Sequence, residues 1–125
     1  MNIMLWVLQV LLAVAFLAHG LLFLFPPAEM VELMKPIPPA FRTFLGVAEV
    51  LAAFGLTVPG LTRILPWFIP CAAAGLMIVM TGATILHTTR GELGPALTTA
   101  ILFVMVTFVA YMRWKVKPIS PRTVA

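Results

Sequence analysis

A glutamate in the middle of an apolar stretch is the residue of this sequence best suited to chemistry. Glu49 stands in the run LGVAEVL, residues 45–51. An ionisable side chain at membrane depth costs about 2.5–3.5 kcal/mol to insert, so it normally faces other helices and finds a partner there. A carboxyl group held in this way can accept or donate a proton. Glu49 is therefore the first candidate for a ligand or proton site.

A histidine is expected at nearly the same depth as this glutamate. His19 lies six residues before Phe25, where the first apolar run ends, and Glu49 lies eight residues after Phe41, where the second begins. At the rise of an α-helix these spacings correspond to depths of about 9 Å and about 12 Å below one membrane boundary. Antiparallel helices would therefore bring His19 and Glu49 close together.

Four more charged or titratable side chains fall at the same end of the predicted helices. Arg42 opens the second apolar run, His87 ends the third, and Arg90 and Glu92 follow His87. We expect all six to converge in one half of a helical bundle, whereas Gln9 is the main polar group within the other half. The predicted site set is Glu49, His19, His87, Arg42, Arg90 and Glu92.

This set has two interpretations. It forms a ligand or proton site, or Glu49 pairs with Arg42, His87 or Arg90 to fix the helix register, because polar contacts hold membrane helices together by about 0.6–2 kcal/mol each. Arg90 and Glu92 could also be solvated loop charges. No metal site is predicted, because the two histidines and the glutamate lack a closely spaced ligand motif such as His-x-x-x-His. No catalytic residue is assigned.

The elements that must position these residues are four long apolar runs. They cover residues 3–25, 41–58, 66–86 and 95–112. Each is close to the length of about 20 residues that crosses a hydrocarbon layer about 30 Å thick. Proline and glycine at positions 26–27, 59–60, 91 and 94 predict where the helices stop.

Short connections make neighbouring helices antiparallel. The predicted fold is therefore all-α, an up-down four-helix bundle that forms a single transmembrane domain over residues 1–125. In the first connection, residues 28–34 are either a short amphipathic helix on the membrane surface or a plain loop. Cys71 is expected to be a small buried packing residue, on one seam of the third helix with Gly75 and Gly82.

Composition excludes the main soluble classes. The chain is 62% hydrophobic and only 10% charged, whereas a soluble domain carries about 25% charged residues. A chain this small cannot hide so much apolar surface internally. Its net charge is +4, but the basic residues form no single stripe, so nucleic-acid binding is not expected.

The basic residues predict the orientation in the membrane. The termini and the second connection share one side, which carries more Lys and Arg than the other and also holds the aromatic residues Trp6, Trp67, Tyr111 and Trp114. Lys and Arg are retained on the cytoplasmic side, so both termini should be cytoplasmic. The basic residues on that side are Arg63, Arg113, Lys115, Lys117 and Arg122, against Lys35, Arg42 and Arg90 on the other.

Four short segments occur in a defined order along the chain. They are residues 16–20 (FLAHG), 46–51 (GVAEVL), 60–63 (GLTR) and 87–92 (HTTRGE). In this order and spacing the sequence resembles the DoxX and DoxX-like family of small four-helix bacterial membrane proteins, over nearly its whole length. One position departs from the family pattern, because many members carry Lys three residues after the glycine of the first segment, where this chain has Phe23.

The resemblance implies a multi-pass protein of the bacterial cytoplasmic (inner) membrane with both termini inside the cell. The family takes its name from a subunit of a thiosulfate:quinone oxidoreductase, and other members are linked to redox or thiol stress and to partner membrane complexes. The fold also resembles that of eukaryotic sterol isomerases, which hold a lipid-like molecule over buried acids.

The residues and the resemblance together favour an accessory or binding module for a quinone or another isoprenoid-like lipid in membrane redox processes. Glu49 would be the buried acid, His19 and His87 would be hydrogen-bond or proton-relay partners, and Arg42 and Arg90 would balance the charge. No covalently bound cofactor is expected. The expected partners are the lipid bilayer and either a second copy of the chain or a membrane redox protein.

Two other functions remain open. One is a membrane enzyme, either a quinone-linked oxidoreductase subunit or a lipid isomerase, although the sequence has no nucleotide-binding loop and no reactive cysteine pair. Such an enzyme would rely on a borrowed cofactor or on acid–base chemistry alone. The other is a small proton-coupled transporter. Small multidrug exporters have the same size and number of helices, but their essential glutamate lies in the first helix, where this chain has none.

Overall fold

The computed structural model describes residues 2–123 and is all-helical over that range. Four of its helices are long and apolar enough to cross a membrane, which confirms the predicted fold class. The helices are α1 (Asn2–Leu24), α2 (Ala28–Met34), α3 (Pro39–Thr62), α4 (Phe68–Thr89) and α5 (Leu93–Tyr111), and a π-helical turn (Met112–Val116) extends α5.

The second long helix does not stop at the proline that was expected to end it. Pro59 lies inside α3, which continues to Thr62 and ends at Arg63 in a left-handed conformation (φ 58°). Pro59 has no N–H to donate to the carbonyl of the preceding turn. Packing against neighbouring helices makes such an interruption tolerable within a membrane.

The core lies between two closely packed helix pairs. α1 packs along α3 and α4 packs along α5, while α3 joins the pairs by packing on α4. One buried stripe of α3 recurs at helical spacing, and it includes Gly46, Glu49 and Ala53. The apolar core is formed by Leu12, Ala13, Phe16, Ala53, Leu56, Ile69, Ala73, Leu76, Met80, Val106 and Val109.

The expected packing seam on α4 is wrong, because Cys71 is exposed and so are Gly75 and Gly82. The buried face of this helix instead begins with Ile69 and Ala73. Cys71 is two residues from each, which is about 200° around an α-helix, so it points away from the core. Small side chains alone did not indicate which face is buried.

The first connection contains a helix rather than a plain loop. α2 covers the seven residues Ala28–Met34, of which only Met34 is buried. The remaining apolar side chains of α2 are at least partly exposed, like the large apolar side chains on the outer faces of the four long helices. Such a surface requires lipid as its solvent.

Both described ends of the chain lie at one end of the bundle, which we call the terminal end. There the side chain of Arg63 donates hydrogen bonds to the carbonyls of Ser120, over 2.9 Å, and Pro121, and the N–H of Arg122 donates to the Arg63 carbonyl. The C-terminal segment, residues 120–122, therefore crosses the connection between α3 and α4. The opposite end, which we call the distal end, carries α2 and the α4–α5 turn. The side of the membrane that each end faces stays a prediction.

Candidate functional site

A close crossing of α1 and α3 builds the first half of the candidate site. A Cβ added at Gly20 would lie 2.9 Å from the carbonyl oxygen of Gly46, and one added at Gly46 would lie 2.7 Å from Leu24. Membrane helices approach this closely only where small residues let the backbones meet. The crossing brings together the neighbours of these glycines, His19 and Glu49.

His19 and Glu49, which were expected at nearly the same depth, form a hydrogen-bonded pair. The imidazole Nδ1 and the carboxyl Oε2 are 2.7 Å apart and share one hydrogen bond. The side chain of Glu49 is 2% exposed, whereas that of His19 is 52% exposed. The buried acid is therefore connected to the outside of the bundle through the imidazole ring.

An aromatic ring packs against the exposed part of this pair. The ring centroids of His19 and Phe23 are 4.5 Å apart, with the planes inclined by 39°. Phe23 occupies the position at which the sequence departs from the family pattern. Here an apolar ring, rather than a second cation, lies beside the imidazole.

A second acid–imidazole pair lies in the turn between α4 and α5. His87 Nδ1 and Glu92 Oε1 are 3.4 Å apart, and both side chains are partly exposed. The backbone explains this approach. The N–H of Glu92 donates to the His87 carbonyl over 2.9 Å and the N–H of Gly91 donates to the Thr88 carbonyl over 3.1 Å, which is the Schellman arrangement that ends a helix.

This arrangement gives the segment HTTRGE a structural role. The residue after the end of the helix must adopt a left-handed conformation, which glycine adopts without steric penalty. Gly91 has φ +73°. Gly91 is therefore the residue of this segment that the helix ending needs, whereas the bond from the Glu92 N–H to the His87 carbonyl uses only backbone atoms and does not depend on their side chains.

The structure does not join the six predicted residues into one network. The register interpretation expected Glu49 to pair with Arg42, His87 or Arg90. Within residues 2–123 its partner is His19 instead. The side chains of Arg42 and Arg90 form no hydrogen bond or ion pair in that range. No three His, Cys, Asp or Glu residues among the described residues lie close enough to hold a metal ion. The geometry gives two separate pairs, of which only His19–Glu49 joins two transmembrane helices.

Sequence reasoning missed a polar network at the terminal end, where Gln9 was expected to stand almost alone. Arg113 Nε donates to Gln9 Oε1 over 2.7 Å, and Arg113 Nη1 donates to Asn2 Oδ1 over 2.7 Å and to the Lys117 carbonyl over 2.9 Å. Gln9 and Arg113 are buried, and the guanidinium lies 5.6 Å from the centroid of Trp6. The sequence signal that could have predicted this network was the amide of Gln9 within the first apolar run together with the cation of Arg113 at the end of the fourth.

The partners of Arg113 differ from those of the histidines. They are amide and carbonyl oxygens, and Nη2 is buried without a hydrogen-bond partner among the described residues. Gln9 Nε2 also donates to the carbonyl of Leu56 in α3 over 2.6 Å. The network joins α1, α3 and the π-helical turn, so it ties both ends of the chain to the core. We interpret this network as a structural clasp, because among the described residues Arg113 donates only to neutral amide and carbonyl oxygens, and its exposed side-chain member, Asn2, has no titratable side chain.

Comparison with known proteins gives one match. A family model described as the DoxX-like family matches residues 7–109, a range that includes all six predicted site residues but not Asn2 or Arg113. No curated protein and no solved structure matched the chain significantly.

Proposed function

We propose that this chain, which belongs to the DoxX-like family, is an accessory module that binds a quinone or another isoprenoid-like lipid at the His19–Glu49 pair. The observation that carries this proposal is the 2.7 Å hydrogen bond between a buried carboxyl and a half-exposed imidazole. A group arranged in this way can present a proton to a ligand that stays in the lipid phase.

The surroundings of the pair suit a ligand with a polar ring and an apolar tail. A quinone carbonyl accepts hydrogen bonds, and the free ring nitrogen of His19 can donate one when it carries a proton. Phe23 offers an aromatic face beside the imidazole. One turn to either side, Ala15 and Leu22 are exposed on the same helix, so an isoprenoid tail can lie along α1.

The proposal places the protein in the bacterial cytoplasmic membrane, with both termini inside the cell. Basic residues at the terminal end support this orientation. The His19–Glu49 pair then lies toward the outer leaflet, where a membrane oxidoreductase acting on the same quinone would be the natural partner.

The test is retention of a quinone with an isoprenoid tail by the purified chain. The Glu49→Gln variant keeps the side-chain shape but cannot exchange a proton, and we expect about tenfold weaker retention, the equivalent of one charge-assisted hydrogen bond. Quinone bound per chain after reconstitution into bilayers would be measured by native mass spectrometry. Circular dichroism would check that the helices still form.

Glu32→Gln is the matched control, because it makes the same change at an exposed glutamate of α2. The control should retain quinone like the parent chain. Equal retention by Glu49→Gln and the parent would overturn the proposal, as would equal losses in both variants.

A further inference from the structure

An apolar depression lies at the terminal end of the bundle, between α4 and α5. It is an open groove of about 360 Å³, within the size range of small-molecule sites. Cys71, Ala74 and Ala110 line it with apolar or weakly polar atoms, while Tyr111, Trp114 and Lys115 complete its lining from the end of α5 and the π-helical turn.

The position of this groove matches the boundary between hydrocarbon and headgroups. Lys115 is the penultimate residue of the last membrane-spanning segment, Leu93–Val116. Tyr111 and Trp114 are 60% and 56% exposed, and such aromatic side chains favour the headgroup level. One end of the groove therefore lies beside lipid headgroups and the rest lies beside acyl chains.

The charge around the groove favours an anionic occupant. All four acidic side chains of the sequence, Glu29, Glu32, Glu49 and Glu92, belong to the distal half. In the described part of the chain no carboxylate pairs with Lys115. Lys115 is accompanied by other basic residues of the terminal end and by no acidic side chain. The charge around the groove is therefore complementary to that of a phosphate.

The clasp at Arg113 holds the turn that shapes this groove. Arg113 points into the bundle toward Gln9 and Asn2, whereas Trp114 and Lys115, the next two residues, are exposed. A π-helical turn is uncommon and often marks a functional position. Here it buries one cation and leaves its neighbour at the membrane surface.

We propose that this groove binds an anionic phospholipid, with an acyl chain over Cys71 and Ala74 and the headgroup phosphate at Lys115. The inference does not depend on the His19–Glu49 site, which lies in the other half of the bundle. A bound lipid of this kind would anchor the terminal end in the leaflet richer in anionic lipid.

The first test compares two lysines of the same tail. The full chain is reconstituted into vesicles that contain phosphatidylglycerol and phosphatidylcholine in equal amounts, and retained lipids are counted by native mass spectrometry. We expect a preference for phosphatidylglycerol that falls about fivefold in Lys115→Gln, since one interfacial cation has an effect of that size. Lys117→Gln removes the same charge outside the groove and should keep the preference.

A steric pair tests the acyl-chain part of the site. Ala74→Trp fills the groove and should abolish the preferential retention, whereas Leu51→Trp places the same side chain on the exposed face of α3, outside both proposed sites, and should leave it intact. Circular dichroism on each variant distinguishes lost binding from lost folding. If Ala74→Trp does not fold, the lysine comparison still decides.

Three results would overturn the proposal. The first is equal retention of the two phospholipids by the parent chain. The second is equal loss of preference in Lys115→Gln and Lys117→Gln, which would indicate a general surface-charge effect. The third is a dimer of the chain that retains no lipid, which would show that a second copy covers the groove.

Discussion

The two acid–imidazole pairs use the same side chains in opposite ways. His19 and Glu49 are 30 residues apart in sequence, and tertiary packing of α1 on α3 brings them to 2.7 Å. His87 and Glu92 are only five residues apart, and a helix ending brings them to 3.4 Å. Glu49 is 2% exposed whereas Glu92 is 41% exposed.

The difference shows what makes such a pair a candidate site. A buried carboxyl group must be satisfied by its neighbours, so its partner and its geometry are closely constrained. A pair in an exposed turn exchanges its contact for water at little cost. The motif HTTRGE is prominent in the sequence, yet the backbone of the turn accounts for its glycine and for the closeness of its histidine and glutamate.

The largest expected effect is on the stability of the bundle when the buried pair loses one partner. His19→Ala leaves Glu49 without its hydrogen bond, and we expect a loss of about 3 kcal/mol of unfolding free energy. His87→Ala should cost less than about 0.5 kcal/mol. Unfolding by sodium dodecyl sulfate in mixed micelles measures both.

A double-mutant cycle separates pairing from the loss of either side chain alone. The coupling between His19 and Glu49 should exceed that between His87 and Glu92. Equal coupling energies in the two cycles would contradict the contrast between the pairs.

The second effect concerns the crossing that seats the buried pair. Gly20→Ala would force its Cβ against the backbone oxygen of Gly46, at 2.9 Å, and we expect a loss of about 2 kcal/mol. Gly82→Ala is the matched control, because nothing lies within 4 Å of a Cβ at that position. The same micelle titration checks both variants, and a neutral Gly20→Ala would show that α1 and α3 do not meet as described.

The smallest effect is at the turn that forms the exposed pair. Gly91→Ala places a Cβ on a left-handed residue (φ +73°), which should cost about 1 kcal/mol. Gly94→Ala, in the first turn of α5 with nothing near its Cβ, should be neutral or slightly stabilising. If Gly91→Ala matched this control, the helix ending would not depend on the left-handed residue.

The helices and the buried pair could be predicted from the sequence because lipid imposes simple rules. Run length and hydropathy locate the spans, and equal depth on antiparallel helices leads directly from His19 to Glu49. Helix ends are harder to predict, since Pro59 was taken as a stop although α3 continues past it to Thr62.

One of the remaining differences arises from rotation about the helix axis. In a uniformly apolar helix, hydrophobicity does not distinguish the lipid-facing side from the core, so Cys71 was assigned to the wrong face. His87, Arg90 and Glu92 were expected to join Glu49 because all of them fall at the same end of the helices, but a shared depth does not by itself fix which side chains are in contact. Arg113 was counted as a tail charge because its run of apolar residues had ended, yet its long side chain turns back to Gln9.

The clasp at Arg113 also has an electrical consequence. Its cation is held by neutral oxygens from Asn2, Gln9 and Lys117, so no counter-ion within that network cancels the charge. Moving one elementary charge across a membrane potential of 100 mV changes the energy by about 2.3 kcal/mol. The voltage of an energised membrane would therefore favour keeping this end of the protein on the negative side, with a charge that is built into the packed interior and is not lost when the tail is trimmed beyond Lys117.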